Sequence, residues 1–200
     1  MKFKNKRISY DRAVRNILIT YAKNTEYAFN TAWYTEANKF ATDLSVKYEL
    51  PIAEVCGIIA ALSPLKGWNE NKKLTESFIK GKNSGHTKLF IGKAQSIINS
   101  GYSTEQIADV LKGRKIVSFF LNILHPEQNT NVTIDRHALS VILGYSVDDT
   151  DYRGITAKQY DFFQKSYIIA SNKVGIAPLE MQSVTWQIWR KEKNLAEFYG

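Results

Sequence analysis

Apolar residues recur at intervals of three and four along nearly the whole chain, which is the spacing of one face of an α-helix. Phe29, Trp33, Ala37, Phe40 and Leu44 show this spacing most regularly. The alternation of apolar and polar residues that is typical of a β-strand is limited to the short run 131–134. The spacing therefore predicts an all-α protein of about nine to ten helices. They cover residues 11–23, 26–49, 51–62, 69–80, 87–99, 104–111, 115–124, 132–144, 157–174 and 178–193.

Two helix starts carry the pattern of a capping box, in which a Ser or Thr and a Gln three residues later bond each other's backbone. Ser103 with Gln106 fits this pattern, and so does Thr156 with Gln159. Gly175 fits the left-handed residue that commonly follows the end of a helix.

The chain lacks the features of membrane and secreted proteins. Its longest apolar runs, 55–62 and 117–121, are far shorter than the about 20 residues of a membrane helix. No apolar signal core follows the basic first residues. A length of 200 residues makes one domain the default. We therefore expect a soluble, cytoplasmic, single-domain protein over residues 1–200 that makes no membrane contact.

The residues that bind metals and redox cofactors are sparse. Cys56 is the only cysteine, which excludes an internal disulfide, a four-cysteine iron–sulfur cluster and a four-thiolate zinc site. It lies in an apolar helical stretch, where a free cysteine packs as a small hydrophobe. His86, His125 and His137 are too far apart to pair on one helix, and no glycine-rich phosphate loop is present. We expect no metal and no cofactor.

The net charge of +8 lies entirely in the first half of the chain. Residues 1–100 hold 16 Lys and Arg against 8 Asp and Glu, whereas residues 101–200 hold 11 of each kind. Basic surfaces gain affinity for nucleic acids by releasing counterions from phosphates. The surplus predicts a DNA partner, although a solvated lysine-rich surface explains it equally well.

Two segments combine residue types that suggest chemistry. In the first, the apolar run ending at Leu62 opens into a loop that contains Ser63, Leu65, Lys66 and Trp68. This loop also fits a plain helix stop with a packing tryptophan. In the second, a Lys112–Lys115 hairpin precedes the helix 115–124, and free amides with positive charges at a helix start bind phosphate. Asp135 follows twenty residues after Lys115, at the start of an apolar helix, where it also fits a helix cap.

Together these motifs resemble the helix-hairpin-helix DNA glycosylases, the superfamily of endonuclease III. Those enzymes typically carry Leu-Pro-Gly-Val-Gly-Arg-Lys at the hairpin, an apolar helix ending in Leu-Asn, and then Val-Asp-Thr-His. This chain has Gly113-Arg114-Lys115, then Leu121-Asn122, then Ile134-Asp135-Arg136-His137. The likeness covers residues 55–145, and the termini are similar to an uncharacterised branch found in bacteriophages and some bacteria.

The resemblance implies a fold of two helical lobes with a cleft between them. One lobe holds the middle helices, about 51–145, and the other holds the terminal helices, 1–50 and 146–200. It implies action in the cytoplasm of a bacterial cell, with a phage-encoded protein acting in its host as a special case. No iron–sulfur cluster is implied, because several branches lack its cysteines.

The resemblance also implies roles for individual residues. Asp135 takes the place of the catalytic aspartate, whose carboxylate stabilises the positive charge that grows on the sugar as the N-glycosidic bond breaks. Lys115 matches the lysine that forms a Schiff base in members with AP-lyase activity, and partial desolvation at a helix start favours its reactive neutral form. Leu65 falls near the residue that fills the gap left by a flipped base. Further DNA contacts are expected at Lys66, Lys112, Gly113, Arg114, Arg136 and His137, and a base pocket at Ser63, Trp68, Asn69 and Gln182.

The hairpin also differs from the family pattern. Val110 and Leu111 stand where the family has a proline and its first glycine, which leaves Gly113 as the only hairpin glycine. Two alternatives to a DNA glycosylase therefore stay open. One is the same fold acting on free or modified nucleotides in phage DNA modification, and the other is a non-enzymatic phage factor that binds a host protein or a nucleotide signal. The sequence favours no particular base, strand form or oligomeric state.

Overall fold

The computed structural model describes residues 1–4, 6–29, 32–82, 85–128 and 130–193. Within these residues the chain forms twelve helices, ten of them eight residues or longer, and one short β-hairpin. The all-α prediction is confirmed. The helices are α1 Tyr10–Ala22, α2 Asn24–Tyr27, α3 Trp33–Tyr48, α4 Ile52–Leu62, α5 Trp68–Ile79, α6 Lys88–Ile97, α7 Thr104–Leu111, α8 Arg114–Leu124, α9 Arg136–Leu143, α10 Asp149–Arg153, α11 Ala157–Val174 and α12 Pro178–Glu192. The antiparallel strands are β1 Lys2–Phe3 and β2 Lys6–Arg7.

Several predicted boundaries are wrong, each for a local reason. The single helix predicted over 26–49 is two helices, because Ala28 adopts a φ of 50° that ends α2. The helix predicted over 132–144 begins only at Arg136, because extended Asp135 caps it. The run 131–134 is extended but pairs with no strand of the described residues. Residues 145–156 lie outside the predicted helices, but Asp149–Arg153 within them form α10, which Asp148 caps by accepting from the Asp151 amide at 2.7 Å.

The helix-end signals of the sequence are confirmed. Both capping boxes form, at Ser103 with Gln106 and at Thr156 with Gln159. Gly175 adopts the left-handed conformation after α11, at a φ of 73°. Local hydrogen-bonding chemistry therefore fixes these three boundaries.

The described residues fall into two compact units. The first unit contains residues 1–33 and 127–193, and the second contains residues 34–126. These divisions lie at 33/34 and 126/127, whereas the expected lobes divide at 50/51 and 145/146. No helix within the described ranges has the length and apolar character needed to cross a membrane.

In the first unit, α1 packs against α9, α11 and α12. Ile17 of α1 and the rings of Phe163 and Tyr167 on α11 are fully buried in this core. The strand β1 adds Phe3, whose ring meets Phe163 edge to face at 6.1 Å. Burial of these apolar side chains supplies the main driving force for the unit and fixes the position of α9.

In the second unit, α4 is the central helix and packs against α5, α6, α7 and α8. Nine of its eleven residues are buried, as its nearly unbroken apolar sequence predicts. Gly57 lets α7 approach closely, since a Cβ there would lie 2.7 Å from Cγ2 of Ile107. The buried carboxylate of Glu54 accepts hydrogen bonds from the amides of Asn99 and Gly101, which satisfies its charge in the interior.

Candidate active site

Asp135 stands at the start of α9 in the first unit. Its extended backbone, with φ −99° and ψ −176°, places the carboxylate over the first turn of the helix. Oδ1 accepts a hydrogen bond from the Ala138 amide at 2.8 Å. The aspartate is therefore a helix cap, as one interpretation of the sequence expected, and the positive end of the helix dipole favours its negative charge.

The second carboxylate oxygen of Asp135 has a partner from a distant part of the chain. Nε1 of Trp186, on α12, donates to Oδ2 at 3.0 Å. The two carboxylate oxygens are thus held by donors from two different helices, an amide of α9 and an indole of α12. These two bonds fix the orientation of the half-buried carboxylate. A carboxylate held by fixed N–H donors at a helix start is suited to stabilising a developing positive charge.

Trp186 is in turn held between two buried side chains. The guanidinium of Arg190 lies 4.8 Å from the centre of the indole ring. Nη1 of Arg190 lies 3.0 Å from Nε2 of His137, and because a guanidinium only donates, Nε2 accepts. The ring of His137 meets Trp186 edge to face at 6.1 Å. His137, for which the resemblance implies a DNA contact, is only 8% exposed and supports the indole and the guanidinium.

Three tyrosines fix the backbone around Asp135. Tyr152 donates from its hydroxyl to the Ile134 carbonyl at 2.6 Å, and the hydroxyl of Tyr160 accepts from the Ile134 amide at 3.0 Å. The hydroxyl of Tyr167 contacts the Ala138 carbonyl at 3.4 Å. Burial raises the pKa of both Tyr152 and Tyr167, and the negative charge of Asp135 adds to it. Both hydroxyls therefore stay protonated at neutral pH and keep their donor role.

Two further predicted residues of the first unit have clear positions. Arg136 forms an ion pair from Nε to Oδ1 of Asp149 at 3.0 Å, at the protein surface. Gln182 is 5% exposed and lies on α12, one helical turn before Trp186. Its predicted contact with a base stays a prediction.

The predicted hairpin forms in the second unit, between α7 and α8. Lys112 and Gly113 both have positive φ, at 50° and 80°. Leu111, which stands where the family has its first hairpin glycine, is fully buried as the last residue of α7. The turn is therefore made by Lys112, the next residue. A Cβ on Gly113 would meet nothing within 4 Å, which leaves room for a ligand to approach the backbone.

Positive charge and helix geometry coincide at this hairpin. No side chain of the described residues caps α8, and its first turn contains no acidic residue. Residues 112–115 are all exposed. The first turn of α8 thus combines the positive end of the helix dipole with Arg114 and Lys115, an arrangement that attracts phosphate.

The desolvation predicted for Lys115 is wrong for the protein alone, because this side chain projects into solvent from the first turn of α8. A different lysine lies in a partly buried position. Nζ of Lys93, on α6, donates to the carbonyl of Leu111 at the base of the hairpin. Burial lowers the pKa of Lys93, and the nearby charge of Lys112 lowers it further. No local pattern indicates this contact, which joins residues eighteen positions apart.

The loop after α4 exposes Leu65 almost completely. Leu65 is 90% exposed and has a φ of 63°, a conformation that costs a non-glycine residue about 1 kcal/mol. Nε2 of His86 lies 3.1 Å from the Pro64 carbonyl and fixes the preceding residue. On the other side, Lys66 pairs with Glu70 at 2.5 Å. The structure therefore presents a large apolar side chain to solvent on a strained and anchored turn.

The other residues predicted for a base pocket surround this turn. Ser63 donates from its hydroxyl to the Ala60 carbonyl at 2.9 Å and ends α4. Trp68 packs edge to face on Phe40 at 5.8 Å, while Nζ of Lys72 lies 5.8 Å from the indole centre. Asn69 is half-buried in the first turn of α5. Trp68 therefore packs against neighbouring side chains, as one interpretation of the sequence expected.

The predicted residues form two groups, one in each unit. The first unit holds Asp135, Arg136, His137 and Gln182, together with Trp186 and Arg190, which sequence reasoning missed. Gln182, Trp186 and Arg190 are spaced by four residues, and this shared helical face was the available signal. The described ranges contain no cluster of three or more His, Cys, Asp or Glu side chains that could hold a metal ion.

Comparison with protein families gives one match that spans almost the whole chain. The model of the family of unknown function DUF7178 matches residues 1–193. The chain belongs to this family. Comparisons of this DUF7178 member with curated proteins and with solved structures give no significant match.

Proposed function

We propose that this chain is a DNA glycosylase-like enzyme, which cleaves the N-glycosidic bond of a base flipped out of DNA. The observation that supports it most is the carboxylate of Asp135, held by the Ala138 amide and the Trp186 indole at the start of α9. Capping alone uses one oxygen. The second hydrogen bond, from a helix 51 residues away, orients a charge that the cap does not need.

Cleavage of the N-glycosidic bond requires a fixed negative charge near the sugar. When the bond between the sugar C1′ and the base nitrogen breaks, its electron pair leaves with the base and a positive charge grows on the sugar. Asp135 stabilises this charge, and water then attacks C1′ and loses a proton, while the base gains one. Because the N–H donors already hold the carboxylate, it does not have to reorient as the charge develops.

DNA binding falls to the second unit in this proposal. The hairpin offers the backbone of Gly113 and the positive first turn of α8 to a phosphate. Leu65, exposed on its strained turn, is suited to filling the gap that a flipped nucleotide leaves. Nearly complete exposure of a leucine is costly in water and becomes favourable when the side chain enters a base stack.

AP-lyase activity is a further element of the proposal. It requires an amine that attacks C1′ of the opened abasic sugar and forms a Schiff base with loss of water. The C2′ proton is then lost to water and the C3′–O bond breaks, so that the 3′ phosphate leaves. Lys115 is the proposed amine. Its exposed position beside the hairpin leaves its amine accessible to the sugar of a bound strand.

Replacement of Asp135 by Asn tests the proposal. Asparagine still caps a helix but carries no charge, so base excision is expected to disappear while folding and DNA affinity stay. Asp148→Asn is the matched control, because Asp148 caps α10 in the same manner. Excision that survives Asp135→Asn contradicts the proposed function. Activity on free nucleosides alone assigns the chain to nucleotide chemistry instead.

A further inference from the structure

A groove runs along the first unit between α1 and α11, and nothing in the proposed function uses it. It has a volume of about 550 Å³. Its lining contains a row of four residues spaced by four positions on α1 (Tyr10, Val14, Leu18 and Ala22), with Ile19 beside the row and Ile169 opposite. Val14 is buried at the floor of this groove, whereas Tyr10, Leu18 and Ala22 reach its surface.

The groove is apolar and open to solvent. Ile19 is 56% exposed and Tyr10 37% exposed, and both belong to a set of only seven large apolar side chains with such exposure in the described residues. Single exposed apolar residues are ordinary, but two of them that line one groove indicate a binding surface.

Positive charges border this groove on both helices. Arg15 lies on the α1 side and Lys173 on the α11 side, and neither forms an ion pair with any described residue. Lys165, two turns before Lys173, places Nζ 5.7 Å from the ring centre of Tyr10. Asp11 is the single carboxylate in the lining.

We infer that this groove binds an amphipathic α-helix of another protein, with an apolar face flanked by carboxylates. An apolar floor offers nothing to the phosphates of DNA, whereas it buries a row of aliphatic side chains. Two copies of this chain brought face to face here would oppose like charges, which is unfavourable. Carboxylates on both sides of an incoming helix meet Arg15 on one side and Lys173 on the other. The row from Tyr10 to Ala22 is about 18 Å long, which corresponds to about three turns of a bound helix.

A designed peptide pair tests this inference with the full chain. The probe is a fluorescein-labelled helical peptide of about 16 residues, with leucines spaced by three and four and glutamates on both flanks. Its partner has lysine in place of each glutamate. Fluorescence anisotropy should show saturable binding of the acidic peptide, at least about ten-fold tighter than binding of the basic one. Equal binding of the two peptides, or no binding of either, overturns the inference.

Substitutions then locate the binding surface. Ile19→Ser removes exposed apolar area, and Lys173→Glu reverses a bordering charge. Each substitution should weaken binding of the acidic peptide by about ten-fold or more. Val46→Ser and Lys39→Glu, two exposed positions on α3, are the matched controls and should leave its affinity unchanged. Groove variants that bind as wild type overturn the inference. A wild-type dimer in sedimentation that Ile19→Ser dissociates also overturns it, because a second copy then covers the groove.

Discussion

The indole Nε1 of Trp186 donates to Oδ2 of Asp135 across 3.0 Å, and so joins the last helix of the first unit to the start of α9. The other oxygen of Asp135 is held by the Ala138 amide within α9 itself. One bond is local and the other depends on the tertiary fold. The orientation of the carboxylate therefore reports whether α9 and α12 are correctly packed.

Trp186→Phe should show what the hydrogen bond to the Asp135 carboxylate contributes, because it removes that bond and keeps the packing of the ring. Phenylalanine keeps an aromatic ring beside Arg190 and His137 but has no N–H to donate. We expect the turnover rate of base excision to fall by about ten-fold to a hundred-fold with little change in KM, since one donor to a charged group is lost. Single-turnover kinetics over a range of DNA concentrations measures both quantities.

Trp189→Phe is the control for this substitution. Trp189 lies on the same helix and is 8% exposed, and its ring contacts Lys193 rather than Asp135. It should lose a comparable amount of stability and none of the turnover rate. A second readout is the Nε1–H resonance of Trp186 in NMR, which should move with pH in the wild type and stay fixed in Asp135→Asn. A resonance that moves equally in both proteins rules out the bond in solution.

Leu65→Gly should stabilise the fold and weaken the enzyme. Glycine adopts the φ of 63° without strain, which relieves up to about 1 kcal/mol, partly offset by greater freedom of the unfolded chain. Removal of the apolar side chain should lower base flipping about ten-fold, measured as 2-aminopurine fluorescence in the complex. Glu49→Gly is the control, because exposed Glu49 has a similar φ of 55°. It should raise thermal stability without affecting flipping, and equal flipping by both variants contradicts the role of Leu65.

Borohydride trapping should identify the amine of a lyase step. If Lys115 forms the Schiff base, reduction links the wild type covalently to abasic DNA and leaves Lys115→Ala unlinked. Lys93→Met is the informative comparison, since the pKa of Lys93 is lowered by burial and its Nζ lies at the base of the same hairpin. It should reduce DNA affinity and keep the adduct. An adduct that depends on Lys93 reassigns the amine.

Glu76 predicts a pH dependence of stability in the second unit. Its carboxylate bonds Lys47 at 2.8 Å, Lys80 at 3.0 Å and the Tyr48 hydroxyl at 2.9 Å, and these partners lower its pKa to about 2. An unfolded glutamate has a pKa of about 4.3. The stabilisation is therefore complete above about pH 5 and disappears as pH falls toward 2. Glu76→Gln should lower the Tm at pH 7 and match the wild type near pH 2, and a pH-independent difference in Tm contradicts this account.

Local chemistry made much of the fold predictable. Helical spacing and capping residues such as Ser103 and Thr156 act within a few positions, so their consequences can be deduced from sequence. The break after Ala28 was missed because no glycine or proline marks its positive φ. The extended stretch before Asp135 was missed for a similar reason. Ile134 has helical spacing relative to Ala138, yet both Ile134 and Val132 are buried in the extended stretch before the helix.

The candidate site was predictable only in part. Asp135 could be found because a charged residue at the start of an apolar helix is conspicuous, and Leu65 because it follows a helix stop. Trp186, the indole donor to Asp135, could not be found from the sequence, because a contact across 51 residues leaves no local pattern. The pattern of charges along the sequence was equally uninformative about which lysine is buried. Lys115 and Lys93 differ in burial, and only tertiary structure distinguishes them.

The most direct test of the central claim is an excision assay on duplex and single-stranded oligonucleotides that carry normal, damaged and phage-modified bases. Wild type, Asp135→Asn and Asp148→Asn are incubated with each substrate, and alkali then cleaves any abasic site. We predict cleavage at one class of base by the wild type and by Asp148→Asn, and none by Asp135→Asn, whose DNA affinity stays within about two-fold. Cleavage by Asp135→Asn at the wild-type rate would contradict the account.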